Sequence, residues 1–174
     1  MDQGRHSLAS LQESLLRSLA RSGPAPEGMD PERLELAATS LAVKRARSVA
    51  RAWPGLAAAL GPEFEARFAE FAVGTLIPSR GGPLADGFAF AGWLDSQGLL
   101  PAAGRLEQLA VSLRFRTCPE GLEPRRGPAL TWAWIDPPGQ LVVAACWSPS
   151  RVFWVRLPLP WHGRRVARRA GASG

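Results

Sequence analysis

Two hydrophobic periods divide this chain. Leu8, Leu11, Leu15, Leu16 and Leu19 recur at the spacing of one helical face, with Ser7 as N-cap and Gly23 as stop. A Pro/Gly linker, SGPAPEGM, follows. The next helix opens at Asp30, Pro31 and Glu32. There the Asp carboxylate can accept from free backbone N–H groups, Pro suits the first helical position, and Glu meets the positive end of the helix dipole. Pro54 ends or kinks this helix, and GLAAALG reads as a short turn. Gly61 and Pro62 start another helix, with Phe64, Phe68 and Phe71 along one face and Gly74 as its stop. LADGFAFAGWLDSQG and PAAGRLEQLA read as two more helices.

Near residue 111 the period shortens to two. VSLRFRT alternates Val111, Leu113 and Phe115 with Ser112, Arg114 and Arg116. ALTWAWI, QLVVAACW and RVFWVRL follow, separated by the turn signals DPPG and SPS. QLVVAACW is apolar on both faces, which predicts an inner strand. The expected fold is α+β, an N-terminal helical bundle followed by a small antiparallel β-meander. Its parts are an N-terminal helix and linker (1–29), a helical domain (30–110), a β-sheet region (111–161) and a disordered basic tail (162–174).

Composition adds a charge asymmetry. The 174 residues carry a net charge of +6, but residues 1–110 hold 11 basic and 12 acidic side chains while residues 111–174 hold 10 basic and 3 acidic. The cationic field therefore belongs to the C-terminal part. The chain is long enough to bury roughly two thirds of its unfolded surface, so no metal or disulfide is required for stability. Cys118 and Cys146 read as reduced thiols of a cytoplasmic protein. The longest apolar run is far short of a membrane span, so no membrane partner is expected.

The stretch VKRARSVARAWPGL concentrates cations. On a helix, Lys44, Arg47 and Arg51 fall together opposite a face of Ala42, Ala46, Val49, Ala50 and Trp53. Such a stripe is either a solvated bundle face or a contact for phosphates, and only Ser48 offers a short polar side chain beside it. Histidines occur only at positions 6 and 162, and neither a phosphate-cradling glycine motif nor a nucleophile elbow is present. These residues predict no catalytic role and no cofactor. On the strands, Trp132, Trp134 and Trp154 are either sheet–helix core or an aromatic surface beside a free strand edge. With Arg114, Arg116, Arg151 and Arg156 that edge would attract an acidic peptide strand.

The segment RARSVARAWPGLAAALGPEFEARFAEFAVG resembles a helical family classed as DNA-binding domains, which includes the partner protein of the methanobactin biosynthetic oxidase. The marks are Trp53-Pro54, Leu56, Leu60-Gly61, Phe64, Phe68 and Phe71, and the likeness extends over residues 30–116. KRA…VARAWP is also similar to an actinobacterial branch of uncharacterised proteins. The chain departs from the family in lacking its Tyr-Arg-Asn-type opening of the second helix. The resemblance implies a non-catalytic accessory protein in a heterodimer with a multinuclear iron oxidase that modifies ribosomally made peptides. The enzyme would hold the iron, and the C-terminal sheet would accept the acidic precursor peptide. The rival expectation is a nucleic-acid-binding transcriptional regulator using Lys44, Arg47, Arg51, Arg164 and Arg165. A third is a structural interaction module presenting an apolar face of the first helix.

Overall fold

A computed structural model describes residues 30–136, 139–148 and 151–158; the leucine helix expected at 8–19 and the arginines of the tail lie outside them. Helix α1 runs Pro31–Ala52, capped by Asp30, whose carboxylate accepts from the Glu32 N–H at 3.0 Å. Trp53 leaves helical geometry and Pro54 restarts it, so the stretch expected as a turn is a second helix, α2 (Pro54–Leu60). Proline is at home in a first helical turn, where its missing N–H has no partner to lose. A 3₁₀ turn (Gly61–Glu63) leads into α3 (Phe64–Ala72), and α4 (Gly82–Ser96) and α5 (Ala102–Arg114) complete the helices.

The bundle core is aromatic. Phe64, Phe68 and Phe71 of α3 meet Phe90 of α4 at centroid distances of 5.6, 5.1 and 5.4 Å. Trp53 is fully buried, and its indole N–H donates to the Leu84 carbonyl at 3.2 Å. Gly87 lies directly under that indole, where any side chain would collide with the ring. Gly104 plays the same part for α2 and α5: a Cβ there would stand 2.7 Å from Leu56 Cδ1. Both glycines weaken helix propensity but permit these contacts.

The α+β order is as expected, with one boundary moved. Val111 to Arg114, expected at the start of a strand, form the last turn of α5, and strand β1 begins at Phe115. Positions two apart on a helix are about 200° apart. Val111 therefore packs into the bundle core while Leu109 and Leu113 pack against the sheet, and the two-sided helix reproduces the alternation of a strand. The strands form two small sheets. The hairpin β1 (Phe115–Cys118) and β2 (Gly121–Pro124) is one, and the meander β3 (Ala129–Ile135), β4 (Gln140–Ser148) and β5 (Arg151–Pro158) is the other. QLVVAACW is the central strand β4, as its two apolar faces predict.

Candidate functional site

The four cations of the VKRARSVARAWPGL stretch separate. Arg45 is buried, and its Nε and Nη2 donate to the two carboxylate oxygens of Asp86 at 3.0 and 2.9 Å. Its Nη1 donates to the Thr75 carbonyl at 3.1 Å, and its guanidinium lies 5.6 Å from the centroid of Phe68. A bidentate pair of this kind, with the third guanidinium nitrogen also engaged, ties α1 to α4. Lys44, Arg47 and Arg51 are exposed, as the helical projection predicts, and Arg51 donates to Ser48 Oγ at 3.3 Å. The partner of Arg45 is 41 residues away and carries no local signal in sequence. The same is true of Glu107, which accepts from the N–H groups of Gly55 and Leu56 at 2.8 and 2.7 Å and so caps α2 from α5.

Pairing in the meander sorts every residue to a face. One face has the rows Ala129–Cys146–Val152, Thr131–Ala144–Trp154 and Ala133–Val142–Arg156, and packs on Leu109 and Leu113 of α5. The other has Leu130–Ala145–Phe153, Trp132–Val143–Val155 and Trp134–Leu141–Leu157, nine residues and all apolar. Trp132 is 68% exposed and Leu130 73%. The predicted peptide-binding residues are thus divided. Trp132 and Trp134 share the open face; Trp154 and Arg156 stand on the opposite face, both exposed; Arg151 begins β5. Arg164 and Arg165 are outside the described residues.

Arg114 and Arg116 belong to a third place, at the sheet end where β3 starts and β4 finishes. Arg116, Arg80, Arg125 and Arg126 line a groove of about 920 Å³ together with Glu123. The Glu123 carboxylate meets Arg116 Nε at 2.6 Å and Arg80 Nη1 at 3.5 Å. The Nε–H of Arg125 is shared between the carbonyls of Ser112 and Phe115, at 2.9 and 3.1 Å. Across the 124–127 segment lies a smaller slot of about 380 Å³, lined by Leu113, Phe115, Cys146 and Trp147 and rimmed by Arg114, Arg125 and Arg126. A register shift between Cys146 and Ser148 makes Trp147 the extra residue of a β-bulge, and it is 80% exposed. Sequence reasoning missed Arg80, Arg125 and Arg126. The doublet in EPRRGP was the available signal, a pair of cations in a Pro/Gly connection.

Among the described residues no group of three or more His, Cys, Asp or Glu side chains could hold a metal ion, and no helix is long and apolar enough to cross a membrane. No solved structure matches this chain. A UPF0276 protein of Streptomyces avermitilis is 39% identical over 115 residues, which are 66% of this chain and 22% of that protein, so the chain spans about a fifth of this curated relative. Residues 9–96 match the pattern of the family described as SCO6045-like, C-terminal domain, a span ending with Ser96 at the close of α4. With half of its length covered by that match, the chain belongs to the SCO6045-like C-terminal domain family.

Proposed function

We propose that this protein is a non-catalytic partner subunit that docks on a multinuclear iron oxidase and holds the acidic ribosomal precursor peptide that the oxidase modifies. The observation that carries this reading is the second face of the meander: nine apolar residues in three rows, of which Leu130, Trp132, Phe153, Val155 and Leu157 are exposed. A contiguous apolar surface of this kind marks an interaction site. Strands β3 and β5 each have one strand neighbour in that sheet, so each leaves an edge whose N–H and C=O groups an added peptide strand can use. The net positive charge of residues 111–174 favours an acidic strand.

The relative adds independent support. In the Streptomyces avermitilis protein a related segment belongs to one chain with a much longer remainder. A segment that shares one chain with a much larger remainder is suited to contact a larger polypeptide. The likeness of residues 30–116 to the accessory proteins of peptide-modifying oxidases gives that polypeptide its proposed identity. In this reading the oxidase supplies the iron and the chemistry, while this chain supplies docking surface and peptide contacts.

The test is a nuclease-treated capture from the native host with the full chain as bait, read by mass spectrometry and iron analysis. The expected result is an iron-containing oxidase together with a short Cys-bearing peptide. If no protein is retained and the untreated sample carries nucleic acid that salt removes, the reading falls. The exposed Lys44, Arg47 and Arg51 then become the site of a nucleic-acid-binding regulator, with an affinity that drops steeply as salt rises.

A further inference from the structure

We propose that the arginine groove and the adjoining apolar slot form one peptide site, which takes an acidic run followed by a bulky apolar residue. The proposal deepens the partner-subunit reading and rests on it for the peptide's origin. Charge is the first argument. Four arginines line the groove and one carboxylate, Glu123, faces them, which leaves an excess of three positive charges. Glu123 meets both Arg80 and Arg116, and a guanidinium carries five N–H donors, more than one shared carboxylate can take, so both keep N–H groups for other acceptors. Arg126 is exposed and has no ion-pair partner among the described residues. Guanidinium groups presented in this way suit carboxylates, which they bind through paired N–H donors.

The second argument is the slot. Leu113, Phe115, Cys146 and Trp147 line it, and Arg125 and Arg126 belong to both cavities, so a side chain following the acidic run would reach apolar surface directly. A strongly charged groove beside an apolar slot fits a peptide of mixed character better than a polyphosphate backbone, which carries no apolar side chain to fill the slot. Position is the third argument. Cys146 pairs with Ala129 on one side and Val152 on the other, so the slot lies at the sheet end where β5 begins. A peptide anchored there can continue along the β5 edge as an added strand.

The probes are a fluorescein-labelled peptide with an acidic run followed by Leu-Phe, its Ser-Gly counterpart, and a single-stranded oligonucleotide of the same charge. Each is titrated against the full chain by anisotropy. The Leu-Phe peptide binds most tightly, Arg126→Glu weakens it at least about tenfold, and Trp147→Ser abolishes the preference for Leu-Phe over Ser-Gly. Both positions are exposed, and a thermal melt of each variant checks that the fold is intact. Unchanged affinity in Arg126→Glu, a preference retained in Trp147→Ser, or an oligonucleotide that binds as tightly as the peptide would each overturn the proposal. The Arg126→Glu chain is then used as bait in the host capture. If it still retains the oxidase with its peptide, the groove is wrong and the partner reading stands. If the wild-type chain retains no oxidase, the partner reading fails, and the titrations alone decide the groove.

Discussion

The helical bundle and the three-stranded sheet bury their apolar residues to different extents. In the bundle, Trp53, Phe68, Phe90 and Leu94 are wholly buried, and the charged pair enclosed with them, Arg45 and Asp86, is joined by two hydrogen bonds. No buried side-chain polar atom among the described residues lacks a partner. In the sheet, one face packs on α5 through Ala129, Ala133, Val142, Ala144 and Cys146, and the other leaves Leu130, Trp132, Phe153, Val155 and Leu157 exposed. The bundle satisfies its packing within the chain. The sheet carries a second apolar face whose outer residues the described part of the chain leaves exposed, and this is why substitutions of similar size should have opposite consequences in the two regions.

The largest expected effect is at the buried pair. Asp86→Ala leaves the Arg45 guanidinium enclosed without its counter-charge, and removing one member of such a pair costs about 3–5 kcal/mol. For a domain of this size that lowers Tm by roughly 6–20 °C. The double variant Arg45→Met/Asp86→Leu should recover most of the loss, because apolar groups of similar volume need no counter-charge. It still gives up the bond to the Thr75 carbonyl, so recovery stays incomplete. Equal melting temperatures for Asp86→Ala and the wild type would mean that water reaches the pair, and the contrast between a closed bundle and an open sheet would be lost.

A smaller loss is expected at the cap of α2. Glu107→Ala frees the N–H groups of Gly55 and Leu56 at a helix start that has no side-chain cap of its own, at a cost of about 1–2 kcal/mol. Glu107→Gln keeps one amide oxygen as acceptor and should fall between the two. Denaturant titration at unchanged m-value checks the order. A Glu107→Ala chain as stable as the wild type would show that solvent serves these donors equally well.

These two sites also mark where the sequence stopped being informative. Helix α1, the Phe face of α3 and the central position of β4 were legible because each is a local pattern: a cap, a period, an apolar run. The Asp86 partner of Arg45 and the Glu107 cap were not, because long-range pairing of single charged residues leaves no period. The end of α5 was misread for a different reason, since a helix packed on two sides mimics strand alternation over four residues, Val111 to Arg114. At the candidate site, Arg116 was named and Arg126 was not. The former stands in an alternating run, whereas the latter stands in an irregular connection whose place beside the slot depends on the tertiary fold.

The smallest effect on stability should accompany the largest effect on binding. Trp132 and Val155 flank Val143 in one row of the open face. Trp132→Ser/Val155→Thr removes apolar area that is already largely in water, plus cross-strand contacts worth about 0.2–1 kcal/mol each. The variant should therefore melt within a few degrees of the wild type. It should also be more soluble, because a contiguous apolar patch has been interrupted. In the same chain, capture of the partner enzyme should fall sharply, since truncating aromatic anchors at the centre of an interface is among the costliest changes to binding. A loss of stability as large as that of Asp86→Ala would reverse the comparison. It would mean that the nine-residue face is covered within this protein's own folded state, and the surface assigned to a partner would be internal core.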